Sequence, residues 1–144
     1  MELERLLDSI PAAMFVKDSS GRLVFLNRLM RERLGGRAAW MLGKAAHDLF
    51  PPDVALAVQE DDQAILSGQL PQVHQEISTQ DVLPGSPVGT ALVSKAFFDN
   101  SPWGRALIGL VRDVTSQRET EVALARERDF VRVVLDTSTA LIVV

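Results

Sequence analysis

The sequence GRALIGLVRDVT, residues 104–115, is the stretch that most narrowly limits the fold of this chain. Its centre, residues 106–111, is apolar at every position rather than at every second one. A strand with that pattern is covered on both faces, so we expect it inside a sheet and not at an edge. Residues 116–135 follow directly, and their interspersed charges of both signs predict a polar helix. The chain is therefore expected to pass from a central strand straight into a helix.

Apolar patterns and turn residues outside that stretch predict four further strands and a group of helices. The predicted strands are 13–16, 23–26, a mostly polar edge strand at 72–80, 90–98 and the last strand at 105–115. The predicted helices are 2–10, 28–34 with Asn27 as its cap, two short turns within 38–50, 52–66 and 116–135. Residues 84–87 are predicted to form a loop. This order predicts an α+β fold: a five-stranded antiparallel sheet with a helical crossover on one face, flanked by N- and C-terminal helices that are available to cover the other.

The composition excludes several classes of function. The chain has 144 residues, 47% of them hydrophobic, which is enough for one folded domain. A net charge of −4 argues against nucleic acid as a partner, and no apolar run approaches the roughly 20 residues of a membrane span. The absence of cysteine excludes disulfides, thiolate metal sites and cysteinyl-flavin photochemistry. We therefore expect a cytoplasmic segment without direct membrane insertion.

The end of the chain repeats a pattern from its beginning. Residues 135–144, LDTSTALIVV, match residues 7–16, LDSIPAAMFV, in the order Leu, Asp, hydroxyl residue, Ala and apolar strand. One interpretation is the truncated start of a second similar module at 136–144, and the other is a chance likeness between two helix-to-strand junctions. The first interpretation predicts a cap helix at 1–11, a central domain at 12–115, a linker helix at 116–135 and the partial module.

Four short motifs in a fixed order give the chain a family resemblance. They are DSSG at 18–21 before LVFLN at 23–27, LGK at 42–44 before DLFP at 48–51, VSK at 93–95, and VRDVT at 111–115. Over about residues 3–118 the chain resembles a PAS domain, the small α+β sensory module of bacterial signalling proteins. The resemblance implies the PAS fold, which has the element order predicted above, and a sensory rather than a catalytic role.

The last motif resembles the family's signature at the junction between the final strand and the signalling helix. The resemblance implies that Asp113 and Thr115 couple movement of the core to that helix. A carboxylate or hydroxyl at a helix start can accept hydrogen bonds from unpaired backbone N–H groups. The alternative is an ordinary N-cap that has no part in signalling.

The resemblance also implies a space between sheet and helices, which in this family often holds a small ligand and often holds none. The candidates for its wall are Phe25, Met41, Leu49, Val58, Asp61, Ile65, Phe98, Ile108 and Leu110. Asp61 falls within the apolar stripe of helix 52–66, which consists of Val54, Ala57, Val58 and Ile65. There it could meet a polar group of a ligand, and the alternative is a position at the rim.

No cofactor is predicted, although an unidentified small organic ligand stays open. Haem-binding members of the family carry a histidine on the long helix, and residues 52–66 contain none. His74 and Glu76 share a strand face as two potential metal ligands, but no third ligand is predictable and a solvated face is the alternative. Without cysteine or tyrosine and with only two histidines, the usual nucleophile and base arrangements are nearly absent, so we expect no enzyme.

The polar helix at 116–135 carries an imperfect apolar seam, which consists of Val122, Leu124, Val131 and Leu135. Leu124 and Val131 are one heptad apart, which favours a homodimer through the terminal helices. The alternatives are packing on the chain's own sheet and simple solvation.

These patterns lead to two hypotheses of function. In the first, the chain is a non-enzymatic sensory and dimerisation module that detects a small ligand or partner. Its C-terminal helix relays the change to a downstream output domain, either a histidine kinase or a cyclic-dinucleotide enzyme. In the second, it is a ligandless structural spacer between signalling modules. A filled core would favour the spacer, and a cavity of roughly a few hundred Å³ with a convergent polar group would favour the sensor.

Overall fold

The computed structural model of this protein describes residues 2–70, 72–78, 80 and 89–142. The strands are β1 (Ala13–Lys17), β2 (Leu23–Leu26), β3 (Gln72–Ser78), β4 (Thr90–Ser101) and β5 (Gly104–Asp113). The helices are α1 (Glu2–Asp8), α2 (Arg28–Leu34), α3 (Arg37–Met41), α4 (Ala46–Leu49), α5 (Pro52–Leu66) and α6 (Thr115–Ile142). The predicted loop at 84–87 lies outside the described residues.

The strands form one antiparallel sheet in the order β2-β1-β5-β4-β3. β5 lies in the middle, paired with β1 on one side and β4 on the other, as its continuous apolar run predicts. β3 lies at an edge, in agreement with its polar sequence, QVHQEIS. The predicted five-stranded α+β fold with flanking terminal helices is therefore confirmed.

The chain crosses from one edge of the sheet to the other through α2, α3, α4 and α5. Asn27 is the N-cap of α2, as predicted, because its side chain accepts a hydrogen bond from the Met30 N–H. α5 starts with Pro52, whose missing N–H has no partner to lose in the first turn of a helix. The core on this face of the sheet includes Phe15, Leu26, Ile65, Leu107 and Val111.

Within the first 113 residues, α1 covers part of the second face of the sheet. α1 packs there through Leu7, in a cluster that includes Met14 on β1 and Ala106 on β5. Farther along β5, Ile108 is half-buried and Leu110 is 38% exposed. The expectation that this strand is covered at every position is therefore wrong at Leu110. The seven residues of α1 make a helix of only about 10 Å, which is too short to cover the whole face.

The chain divides into two units, Met1–Asp113 and Val114–Val144. In the second unit, the Val114 carbonyl accepts the first helical hydrogen bond of α6 from the Arg118 N–H at 2.8 Å. The prediction that this helix ends near residue 135 is wrong, because residues 136–142 continue it. A helix satisfies its own backbone groups, whereas a strand needs a neighbour. Whether 136–144 belongs to a second module stays a prediction, and residues 143–144 lie outside the described part of the chain.

Candidate ligand-binding site

A cavity of about 130 Å³ lies between the sheet and the crossover helices. On the sheet side, apolar side chains of four strands line it, namely Phe15, Leu23, Leu26, Ile77 and Val93. On the helix side it is lined by Met30, Met41, Leu49, Phe50, Val54 and Val58. The polar side chains that line it, within the described part of the chain, are Lys17, Gln75 and Lys95. A mainly apolar wall with a few polar groups is the composition typical of a small-ligand site.

A glycine in the central strand makes room for one wall of the cavity. Gly109 on β5 is in register with Phe15 on β1 and with Lys95 on β4. The Phe15 ring occupies the space above the glycine, since a Cβ atom on Gly109 would lie 2.1 Å from Phe15 Cζ. The missing side chain on β5 therefore gives the Phe15 ring its place against the sheet.

One buried carboxylate joins two buried lysines at the cavity. Lys17 Nζ lies 2.6 Å from Asp62 Oδ2, and Lys95 Nζ lies 2.9 Å from Asp62 Oδ1. The exposed fraction is 6% for each lysine and 3% for Asp62. We call these three side chains the Lys-Asp-Lys cluster. Because they come from β1, α5 and β4, the cluster ties the long helix to two strands of the sheet.

Burial dominates the ionisation of Lys17. It lowers the pKa of Lys17 below the ordinary value of 10.5, because the charged form loses its hydration. The Asp62 carboxylate acts in the opposite direction, and the Lys95 ammonium lowers the pKa further. Since the net direction is downward, the single carboxylate does not fully compensate the burial of Lys17 beside a second ammonium group.

The Lys-Asp-Lys cluster was not predicted because the buried face of α5 is rotated from the predicted apolar stripe, although the two overlap at Ile65. The predicted stripe was Val54, Ala57, Val58 and Ile65, whereas the buried residues of the helix are Ala55, Asp62, Ile65 and Leu66. This rotation brings Asp62 inside and leaves Asp61 beside it at the rim. A usable signal was present, because the chain has only three lysines and two of them, Lys17 and Lys95, stand in or directly after apolar strands.

The nine predicted pocket residues fall into groups with different surroundings. Three of them line the cavity, namely Met41, Leu49 and Val58, and their contact with a ligand stays a prediction. Ile65 is fully buried in the core on the same face of the sheet. Asp61 is half-buried, and its Oδ2 accepts a hydrogen bond of 2.8 Å from Nε2 of Gln75, a residue of the cavity lining. Asp61 therefore joins α5 to β3 at the rim.

The other four candidates, Phe25, Phe98, Ile108 and Leu110, lie on the opposite face of the sheet. The first three pack in the cluster under α1, and Leu110 is exposed. This corrects the prediction of a single pocket wall, because successive residues of a strand face opposite sides of a sheet. On β5 the side chains that face the crossover helices are Leu107 and Val111.

Asp113 and Thr115, the predicted signal-coupling pair, stand where the two units of the chain meet in sequence. Asp113 is the last residue of β5 and Thr115 is the first residue of α6, which leaves Val114 in the N-cap position. Asp113 thus precedes the N-cap by one residue, which is within the usual variation of helix boundaries. The role of the pair in signalling stays a prediction.

Within the described ranges, no group of three or more His, Cys, Asp or Glu side chains is placed to hold a metal ion. His74, one of the two candidate ligands, forms a 2.8 Å hydrogen bond through Nδ1 with Ser94 Oγ on the neighbouring strand. None of the helices that the structure describes combines the length and apolar character of a membrane crossing. The wall of the cavity is mainly apolar and includes the side chains of Lys17 and Lys95, whose ammonium groups contact Asp62.

Comparison with known proteins agrees with this architecture. A family described as "PAS fold" matches residues 7–119. The methanogenesis regulatory histidine kinase FilI of Methanothrix harundinacea (strain 6Ac) is 28% identical over 121 residues, which are 84% of this chain and 13% of that protein. The chain therefore corresponds to a small part of that relative.

Two solved structures are similar in fold. The PAS domain of Bordetella pertussis BvgS has a TM-score of 0.64 at 18% identity, over 89% of this chain and 95% of that one. A Vibrio cholerae VqmA dimer has a TM-score of 0.63 at 19% identity, over 81% of this chain and 52% of that one. At these identities the likeness concerns the arrangement of strands and helices alone.

Proposed function

Since this chain belongs to the PAS-fold family, as its motifs predicted, we propose that it is a sensory domain that binds a small organic ligand in its cavity. In this proposal the domain catalyses no reaction. Ligand binding changes the packing of the core, and α6 carries the change to a downstream output domain. The relative FilI is a histidine kinase, which favours a kinase as that output domain.

The observation that carries the proposal is a charged cluster at the wall of a mainly apolar cavity. Buried charges cost free energy of desolvation, so a domain that serves only as a spacer gains little from them. A ligand site needs a few such groups to orient its ligand. The volume of about 130 Å³ is below the few hundred Å³ expected from the sequence. It is close to the roughly 150 Å³ of an apolar cavity that holds benzene, so a ligand of about that size is the one that fits.

The relay in this proposal follows β5. Leu107 and Val111 of β5 are buried on the cavity side of the sheet, and Gly109 between them supports the Phe15 ring. A ligand that displaces the ring acts directly on the middle strand. β5 ends at Asp113 and α6 begins at Thr115, so one residue separates the two elements. This short connection supports the hypothesis that Asp113 and Thr115 pass the change to the helix.

We further propose that α6 pairs with α6 of a second copy of the chain. Leu124, Val131 and Leu135 lie within about 40° of one another around the helix, whereas Val122 lies on the opposite side. All four side chains are exposed. An apolar stripe on an otherwise charged helix suits a short parallel coiled coil. The solved VqmA structure is a dimer, which is consistent with this proposal.

Native mass spectrometry of the purified protein tests the ligand proposal. We expect a small molecule that stays bound under native conditions and is released on denaturation. The variant Val58→Trp places a large side chain on the cavity wall and should abolish that extra mass. Leu56→Trp is the matched control, because Leu56 is an exposed residue of the same helix. This variant should retain the ligand.

Two results would contradict the ligand proposal and favour the structural spacer. One is the absence of any retained mass, together with no thermal stabilisation of the protein by a library of small metabolites. The other is a retained mass that is equally abundant in Val58→Trp and in the wild type. The second result would place the molecule outside the cavity.

A further inference from the structure

We propose that the ligand is a small organic carboxylate whose anionic group binds between Lys17 and Lys95, with its apolar part against the rest of the cavity wall. This inference rests on the proposed function, because it names the chemical class of the ligand for the same cavity. It adds a charge requirement that a PAS fold as such does not impose.

The charges of the Lys-Asp-Lys cluster do not balance. Two lysines and one aspartate are buried together, so the fully ionised cluster carries one excess positive charge. Asp62 and Lys95 are the charged groups that act on Lys17. Removing either lysine would leave one positive and one negative charge, an arrangement with a smaller desolvation penalty for a purely structural role. The second lysine is therefore explained by a monovalent anion that completes the cluster.

The two lysines of the cluster have more hydrogen-bond donors than Asp62 has oxygen atoms. A lysine ammonium has three donors, and the described residues supply one acceptor atom to each of Lys17 and Lys95 through Asp62. Both lysines line the cavity, whereas Asp62 does not. The cluster therefore contributes two lysine side chains to the cavity wall, whereas its carboxylate is not part of that wall. A carboxylate is the ligand group that matches two neighbouring ammonium groups with two oxygen acceptors.

The apolar part of the cavity wall limits the rest of the ligand. Among the residues that the structure describes, eleven of the fourteen that line the cavity are apolar, and the polar ones are Lys17, Gln75 and Lys95. Inorganic phosphate or sulfate would leave that apolar wall without a contact. A single carboxylate with an apolar body of about the size of a benzene ring uses both parts of the site.

Methionine methyl groups allow binding to be measured inside the cavity. Met30 and Met41 line the cavity, and Met14 lies in the cluster on the opposite face of the sheet. Protein labelled with ¹³C at the methionine methyl groups is titrated with benzoate and isobutyrate, and separately with the neutral amides benzamide and isobutyramide. Native ligand is first removed by denaturation and refolding. We expect the acids to shift the signals of Met30 and Met41 and to leave Met14 unchanged.

The acids should bind about 10- to 100-fold more tightly than their amides, since hydrogen bonds to charged groups are the stronger ones. Lys95→Met removes the excess charge, leaves the Lys17–Asp62 pair and should weaken acid binding by a similar factor. Lys44→Met removes the one lysine that does not line the cavity, and it should bind like the wild type. The comparison of acid with amide uses the wild-type protein, so it holds even where a variant fails to fold.

The outcomes separate this inference from the proposed function. Amides that shift the cavity methyl groups with the same affinity as the acids would overturn the carboxylate assignment and leave a ligand-binding cavity. Acids that bind equally well to Lys95→Met and to the wild type would also overturn it. If neither acids nor amides shift Met30 and Met41, the inference is overturned, and the native mass spectrometry decides whether the proposed function falls with it.

Discussion

At the scale of single residues, Asn27 joins three elements through one side chain. Its Oδ1 accepts hydrogen bonds from the Met14 N–H on β1 and the Met30 N–H on α2, both at 3.0 Å. Its Nδ2 donates to the Leu7 carbonyl at the end of α1 and to the Ala12 carbonyl just before β1. The residue is fully buried. All of its amide hydrogen-bonding groups are therefore used, in a site where water cannot replace them.

We expect Asn27→Ala to destabilise the protein by about 2–4 kcal/mol, because it removes a helix cap and leaves buried backbone groups without partners. Urea unfolding followed by the fluorescence of Trp40 and Trp103 measures this loss. Asn27→Asp is the informative companion, since a carboxylate keeps the two acceptor bonds and loses both donor bonds. It should be destabilised mainly at pH values where the acid is ionised. An alanine variant within about 1 kcal/mol of the wild type would contradict this account.

Gly109 is the second residue with a specific role, and that role depends on its lack of a side chain. Its φ angle lies outside the left-handed region, so its backbone does not require glycine. The requirement comes from the Phe15 ring, whose Cζ would lie 2.1 Å from an added Cβ atom. Gly109→Ala must push that ring away from the sheet and toward the cavity.

We expect Gly109→Ala to cost about 1–3 kcal/mol of stability, the usual range for an overpacked core. It should also weaken ligand binding, because the displaced ring takes cavity volume. A double-mutant cycle with Phe15→Leu tests the cause, since the smaller side chain should recover part of the loss. Additive effects of the two substitutions on the free energy of unfolding in urea would show that the contact with Phe15 does not cause the loss of stability in Gly109→Ala.

At the scale of elements, β5 and α5 show what could be predicted from the sequence. β5 was placed correctly because six consecutive apolar residues, 106–111, favour a strand in the middle of a sheet, where both faces can be covered. α5 was predicted with its correct bounds, but its buried face is rotated from the predicted stripe, so that Asp62 rather than Asp61 lies inside. Its apolar residues are spread around the helix, so their pattern does not select one face. The face that is buried depends on the Asp62 contacts with two lysines that are 45 and 33 residues away.

For α6 the predicted interface can be tested by two valines that are two residues apart. Val131 and Val133 are 48% and 62% exposed, and they are separated by about 200° around the helix. Val131 lies on the face of Leu124 and Leu135, and Val133 does not. We expect Val131→Glu to raise the dimer dissociation constant about tenfold or more, because it buries an unpaired charge between two helices. Val133→Glu, the matched control, should change it little.

Analytical ultracentrifugation over a range of protein concentrations measures both variants. A wild-type protein that stays strictly monomeric at high concentration would contradict the proposed dimer for this chain. Equal weakening by Val131→Glu and Val133→Glu would show that association does not use the predicted face of α6.

At the scale of the whole molecule, the charge imbalance of the Lys-Asp-Lys cluster makes stability depend on pH. Lys17 has a folded pKa below its ordinary value of 10.5, owing to burial and to Lys95. Between these two pKa values the unfolded chain therefore binds more protons than the folded one. The free energy of unfolding should consequently rise with pH across that window. The chain contains no cysteine and no tyrosine, so neither thiols nor phenols contribute to the pH dependence in that window.

Urea unfolding at several pH values between about 7.5 and 10.5 measures this rise. Lys17→Met removes the titrating group and should give a flatter profile than the wild type, whereas Lys44→Met should keep the wild-type slope. Saturating benzoate supplies the negative charge that the cluster lacks, which favours the protonated form of Lys17 and should reduce the rise. Identical slopes for the wild type and Lys17→Met would show that this buried lysine does not control the pH dependence. A slope unchanged by benzoate would argue that no carboxylate reaches the cluster.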